Sequence, residues 1–471
     1  MRSATLALAV ASAVLPTFGQ VVKRQSGNLP TITTEGNAFY AGGERWYMRG
    51  VAYQPGGAAD AADPLLDLDS LRRDVEQFQT LGINAIRIYT IDNSQNHDEG
   101  MAILDEAGIY LTLDVNTPLV SLNRDSLDTL HASYNDVYLQ SVFATVDAFA
   151  GYNNLALFFS GNEVINARNN TNAAPYVKAV TRDIKQYIAA QANRPIPVGY
   201  SAADVAQNIY PQAQYFACGE DATARADFFA FNDYSWCDPS SFTQSGWDAK
   251  VQLYGNYSLP LFLSEFGCIE NEREWNEIAA LYSTNMTSVY SGGLVYEYTI
   301  EPNGYGLVEL QNGQVVPNQD FERLQAAYAA TPNPTGEGGA RGTTEVPDCP
   351  AEGEEWAVET DNLPVIPANA AQYIRDGARA GPGLTEESSQ WAGEPSETEP
   401  DLSNGSPVSE DLSNGTVPTG GESNGGGSSN SSSSNGTAAG DAAADSGAGS
   451  LQMSLSALLV GSAIAAAHVL L

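Results

Sequence analysis

Two short runs of this sequence end in a carboxylate. In LALFFSGNEV an apolar stretch stops at Gly161 and Asn162 and presents Glu163. In LPLFLSEFGC a second apolar stretch ends in Glu265. A glycosidase works with two such acids: one protonates the leaving glycosidic oxygen, and the other attacks the anomeric carbon or activates water. A gap of ~5 Å between them gives retention through a covalent intermediate, and a wider gap gives inversion. Taken singly, each glutamate reads equally well as one of 57 acidic residues, capping the helix that follows. Both lie at the end of an apolar run, which favours one shared site. Asn162 carries an amide able to hold a sugar 2-hydroxyl, a contact that tightens as positive charge develops in the ring.

Strand ends must position such a pair. A hairpin (AFYAGGERWYMRG) and GVAYQ come first. In LLDLDSLRRDVEQFQTLG, Leu68, Leu71, Val75, Phe78 and Leu81 recur at helical spacing until Gly82 stops them. AIRIY reads as a strand, HDEGMAILDEAG as a helix, IYLTLDV as a strand, and Tyr138 to Phe149 as a helix. LALFFS is a strand and APYVKAVTRDIKQYIAAQ a helix; IPVGY, DFFAFN and PLFLS are further strands. A helix in WNEIAALYSTNMTSVY precedes the last strand, GGLVYEY. Roughly eight β/α steps in about 300 residues is the size of an α/β protein of the (β/α)8 TIM-barrel class, whose active site lies at the C-terminal strand ends. Strands four and seven stand across such a ring, so Glu163 and Glu265 face each other over a groove. A doubly wound sheet is the alternative, but no GxGxxG follows the first strand, so a dinucleotide fold has no support.

The ends of the chain read as processing signals. MRSATLALAVASAVLPTFGQ has the basic start, apolar centre and small residues of a secretory signal peptide, assigned to residues 1–19, with 20–28 as a short linker containing Lys23-Arg24. The catalytic domain is expected over 29–350. Residues 351–445, rich in Ser, Gly and Asn and repeating DLSNG at Asp401 and Asp411, read as a disordered, glycosylated spacer. Residues 446–471 end in an apolar tail behind small residues, the pattern of a GPI-anchor signal, with Gly440 and Ser446 as candidate attachment points. Sequons at Asn169, Asn256, Asn285, Asn404, Asn414, Asn430 and Asn435 fit a glycosylated exterior.

A net charge of −36 argues against nucleic acid and anionic membrane surfaces as partners and is read as the solubility of a secreted protein, so membrane association is expected only through the GPI lipid. Four cysteines, Cys218, Cys237, Cys268 and Cys349, fit an oxidising route and allow three pairings. No CxxC or Cys-His spacing is present, and the three histidines are His97, His131 and His468, so neither metal nor cofactor is expected.

SGNEV, LSEFGC, GVAYQPGG, LGINAIRIYTID, NTPLVSLNR, IPVGYS, ADFFAFNDYSWC and SGGLVYEY, in this order from about Leu29 to Tyr328, resemble the fungal GPI-anchored β-1,3-glucanosyltransferases, glycoside hydrolase family 72. The resemblance implies a retaining enzyme that cleaves β-1,3-glucan internally and transfers the new reducing end to the non-reducing end of another glucan. It implies Glu163 as general acid/base and Glu265 as nucleophile. It places Tyr89, the loop Asn116 to Arg124 with Asn123, Asn162, Asp204 and Tyr296 where the family binds glucan, and Tyr234 where a tyrosine holds the nucleophile. For Tyr234 core packing is the competing reading. Arg87 is expected to pair with a carboxylate of the catalytic face rather than with substrate. The resemblance also implies the disulfides Cys218–Cys349 and Cys237–Cys268. Two positions depart from the family: Leu71 and Gly100 stand where a further disulfide is usual, and Ile209 where an arginine is expected after Asp204. No cysteine-rich module follows Cys349. A plain β-1,3-glucanase and a noncatalytic wall glycoprotein are the competing functions.

Overall fold

The computed structural model describes residues 28–57, 61–358, 362–385 and 387–397. The expected signal peptide at 1–19, Lys23-Arg24, the sequons from Asn404 onward, and the expected attachment points Gly440 and Ser446 lie outside the described residues. Eight parallel strands close a barrel: β1 (Met48–Ala52), β2 (Ala85–Ile88), β3 (Tyr110–Asp114), β4 (Leu155–Asn162), β5 (Val198–Ala203), β6 (Phe228–Asp233), β7 (Leu261–Phe266) and β8 (Tyr290–Val295), with β8 returning to pair with β1.

The strands are apolar on both faces because each is covered twice, by its neighbours' inner side chains and by the outer helices. Phe228, Ala230 and Phe262 belong to the cluster filling the barrel, while Phe229, Phe231, Leu261 and Leu263 pack outward. This is the period of two of an extended chain. Inside, the rings of Phe159, Phe228 and Phe262 meet with centroids 5.4 to 6.0 Å apart. A three-stranded antiparallel meander (Ile32–Glu35, Ala38–Ala41, Glu44–Trp46) sends Phe39 against Phe228 and Phe262, plugging the end opposite the catalytic face.

Helix α1 (Leu68–Leu81) starts where the Asp67 carboxylate accepts the Ser70 N–H, and stops at Gly82, whose φ of 72° is left-handed. Leu71 is buried on α1. Gly100 lies on α2 (Asp98–Glu106), where a Cβ would come within 2.5 Å of the Leu65 carbonyl. The missing staple therefore has no room for its second cysteine as the backbone stands. The helix expected through WNEIAALYSTNMTSVY is confined to Asn276–Leu281, because the Ser283 hydroxyl bonds back to the Ala280 carbonyl and the chain turns.

The expected domain boundary at 350 is displaced. Residues 351–358, 362–385 and 387–397 form a strap over the barrel's outer helices rather than the start of a free spacer. Trp356 is buried against the Tyr215 ring at 5.3 Å, and the strap helix Ala368–Asp376 packs on both Asp136–Phe149 and Ala174–Gln191. Composition hid this because the anchors are single apolar residues spread among Gly, Pro and acids. The sequons Asn169, Asn256 and Asn285 are exposed.

Candidate active site

Glu163 sits one residue past β4 with φ of 48°. A left-handed backbone costs a non-glycine residue about 1 kcal/mol or more, and neighbours on other elements hold it. Its N–H donates to the Ser201 carbonyl of β5 at 2.8 Å, and its own carbonyl accepts from the Arg124 guanidinium. Its carboxylate Oε1 accepts from Asn232 Nδ2 of β6 at 2.8 Å.

Glu265 lies within β7, 8 % exposed. Tyr89 donates its hydroxyl to Oε1 at 2.9 Å and Tyr234 to Oε2 at 2.8 Å, so the carboxylate is fixed in rotation from both sides. Arg87 reaches Oε1 at 3.4 Å, while it grips Asp114 with two bonds of 2.8 and 3.0 Å. Most of that guanidinium charge is thus committed to Asp114. Burial pushes Glu265 up to about 7, with Glu163 adding to the rise and Arg87 and the two tyrosine hydroxyls opposing it.

Four tyrosines line this end of the barrel. Tyr234 and Tyr296 meet Tyr305 with ring centroids 5.5 and 5.4 Å away, and Tyr89 shares their cluster. Such rings offer a flat apolar face to a pyranose and a hydroxyl to its edge. Tyr234 does both things open to it, packing its ring in this cluster and donating its hydroxyl to Glu265. Asn162 ends β4 beside Asn232. Asn116 is engaged by protein at both ends of its amide, donating to the Ser160 carbonyl and accepting from Tyr138. Asn123 bonds Gln390 of the strap, and Asp204 pairs with Lys250 at 2.6 Å. Lys250 also reaches Asp233 at 2.7 Å, so it supplies a cation beside Asp204, while Ile209 is buried at the start of a helix. The disulfides Cys218–Cys349 and Cys237–Cys268 form as the resemblance implies, the second joining the chain just past Tyr234 to the chain just past Glu265. Cys237, Cys268 and Glu270 are the one metal-like cluster among the described residues, and both its sulfurs are spent in that disulfide.

A profile of the glucanosyltransferases of glycoside hydrolase family 72 matches residues 21–332. The chain belongs to this family. It is 54% identical over 381 residues to 1,3-beta-glucanosyltransferase gel1 of Aspergillus fumigatus, covering 81% of this chain and 83% of that protein. It is 49% identical over 383 residues to 1,3-beta-glucanosyltransferase GAS5 of Saccharomyces cerevisiae, covering 80% and 78%. Among solved structures it resembles Saccharomyces cerevisiae Gas2p, in a glutamate-to-glutamine mutant bound to laminaritetraose and laminaripentaose. The TM-score is 0.66 at 34% identity, over 74% of this chain and 77% of that one. As a family 72 barrel the chain carries its two glutamates on β7 and just past β4. Asn232, Ser201, Ser264 and Asp114 escaped the sequence reading, because polar residues inside apolar runs declare no partner until the strands are side by side.

The site also predicts how stability varies with pH. Burial raises Glu265 to about 7 and Glu277 to about 8, and it raises Glu297 as well. These groups hold protons in the folded state that the unfolded chain has released, so their stabilisation is complete below about pH 4.5 and is lost as pH rises towards 8, about 1.4 kcal/mol per pH unit for each group inside its window. Urea midpoints are expected to fall steadily from pH 5 to 8, and Glu277→Gln to flatten the slope. A midpoint that rises over this range contradicts the assignment.

Proposed function

We infer that this chain is a retaining 1,3-β-glucanosyltransferase acting on β-1,3-glucan. The observation that carries the reading is a buried glutamate held by two tyrosine hydroxyls at one strand end, with a second glutamate on an adjoining amide across the same opening. Glu163 protonates the glycosidic oxygen as Glu265 attacks the anomeric carbon. The bond to the leaving glucan breaks, and a glycosyl ester forms on Glu265. Glu163, now a carboxylate, takes the proton of an acceptor hydroxyl as that oxygen attacks the same carbon and releases Glu265. Two inversions restore the β configuration. Tyr89, Tyr234 and Tyr296 line the groove, Asn162 holds the 2-hydroxyl, and Arg124, Asn116, Asn123 and Asp204 shape its rim. Arg87 and Asp114 hold the nucleophile from below.

The location is part of the same reading. Residues 1–19 carry the chain into the secretory route, and the apolar tail hands it to a GPI lipid at Gly440 or Ser446 on the outer face of the plasma membrane. Among the described residues no helix is long and apolar enough to cross a membrane.

The test is to incubate the mature chain with one reduced β-1,3-gluco-oligosaccharide and size the products. Products longer than the substrate are expected, because sugar outcompetes water at the ester. Shorter products alone make the protein a β-1,3-glucanase. Binding without any product favours the noncatalytic wall glycoprotein.

A further inference from the structure

Beneath the two glutamates lie two buried serines that the mechanism above does not use, joined to amides that it does. Ser201 of β5 and Ser264 of β7 are fully buried, and Asn232 of β6 is 4 % exposed. Their hydroxyls touch at 2.8 Å. The Ser201 hydroxyl lies 2.7 Å from Asn162 Oδ1, and the Ser264 hydroxyl 2.9 Å from Asn232 Oδ1. Asn232 Nδ2 then reaches Glu163 at 2.8 Å and, more weakly, Asn162 Oδ1 at 3.4 Å. Four neighbouring strands thus meet in one chain of side chains running from Ser264 to Glu163.

An amide has a donor end and an acceptor end, and little in its shape distinguishes them. A serine hydroxyl can donate to the oxygen of Asn232 and so turns the nitrogen towards Glu163. With the amide reversed, its oxygen would face the carboxylate, two acceptors without a proton between them. The Ser201 hydroxyl has one proton, and giving it to the Ser264 oxygen leaves the Ser264 proton for Asn232 Oδ1. We propose that Ser201 and Ser264 are positioning residues, a buried hydroxyl relay in which Ser201 donates to Ser264 and Ser264 to Asn232 Oδ1, so that the amide nitrogen of Asn232 supports the carboxylate form of Glu163. This rests on the retaining reading of Glu163. The other titratable and charged groups facing Glu163 are Arg124 from the loop after β3, Tyr200 on β5 and Glu265 on β7. None of them bonds to its carboxylate, so the amide is the contact through which the serines act.

The experiment compares Ser264→Ala, Ser264→Thr, Asn232→Ala and the double variant Ser264→Ala/Asn232→Ala in the mature chain, with the reduced oligosaccharide as substrate. A hydrogen bond to a charged group favours that charged form, so its loss is expected to move one limb of the kcat/KM profile to higher pH in both alanine variants. The rate of transfer at the optimum is expected to fall about tenfold in Ser264→Ala. Ser264→Thr, which keeps the hydroxyl, is expected to restore the wild-type limb. The double variant is expected to match Asn232→Ala alone, because both substitutions cut the same chain of bonds. A lowered Tm with an unmoved pH profile, or additive effects in the double variant, overturns the proposal. A wild-type chain that yields no products overturns the retaining reading instead, and is recognised before any variant is made.

Discussion

Glu265→Gln is expected to reduce transfer by about 10⁴-fold or more, the scale lost when a covalent nucleophile is removed. Glu163→Gln is expected to lose about 10² to 10⁴-fold, the share supplied by general acid–base catalysis. Both variants should still bind laminari-oligosaccharides, because the tyrosine walls and Asn162 are untouched. An amide has the shape of the carboxyl group it replaces, and each site offers it partners. In Glu265→Gln the amide oxygen can still accept from one tyrosine, while the other hydroxyl turns to accept from the new nitrogen. Loss of activity here is not loss of fold. Wild-type Glu265 is a buried acid raised to about 7 by desolvation, so its ionisation opposes folding above that pH, whereas glutamine does not ionise. At pH 8 the inactive variant is therefore expected to be at least as stable as the wild type. The measurements are transfer rates on a reduced oligosaccharide, calorimetric binding of the same sugar, and urea midpoints at pH 8. Near-wild-type turnover in either variant would remove that glutamate from the chemistry. A large fall in midpoint would mean that Glu265 serves the fold instead.

Much of the barrel was legible because its signals are local. Leu71, Val75, Phe78 and Leu81 mark α1 by spacing alone, and DFFAFN and PLFLS announce by composition the strands found at Phe228–Asp233 and Leu261–Phe266. The two glutamates were legible because a strand end in a parallel barrel has a fixed meaning. The network behind them was not. Asn232 meets Glu163 across 69 positions and Ser201 meets Ser264 across 63, and no local pattern encodes such pairs. The cation beside Asp204 was sought in the next few residues, yet it comes from Lys250 on a seven-residue helix, Trp247–Leu253, too short to show periodicity. The helix Leu127–Ser133 was missed although it opens with a capping box at Ser126 and Thr129, because Thr fills the place usually held by Glu or Gln. The strap was misread for a different reason. Its composition is that of a spacer, and its fixation depends on partners contributed by the barrel.

That dependence makes the strap the other place where a large effect is expected. A chain ending at residue 350 is expected to melt about 10 °C below one ending at 397, and to transfer poorly. Truncation removes Trp356 and Val358 from buried sites and uncovers the faces of Asp136–Phe149 and Ala174–Gln191 on which the strap helix lies. Each fully buried large side chain contributes about 1.5–3 kcal/mol, and about 2 °C of Tm accompanies each kcal/mol in a domain of this size. Polar ties act with them: Tyr187 accepts from the Ala378 N–H at 2.8 Å, Gln191 donates to the Ile374 carbonyl at 2.8 Å, and Asn135 to the Ser389 carbonyl at 2.7 Å. The effect on activity follows from the far end of the strap. There Gln390 bonds Ser121 and Asn123, and the Ser389 N–H donates to the Leu119 carbonyl, so the strap pins the loop that ends in Arg124. Arg124 in turn holds the carbonyl of Glu163 in its left-handed turn. Releasing the strap therefore loosens the acid/base from a distance, and Gln390→Ala in the chain ending at 397 is expected to reproduce part of the activity loss with little change in Tm. If the chain ending at 350 melts within about 2 °C of the longer one, less than about 1 kcal/mol of stability resides in the strap, and the functional domain closes at Cys349.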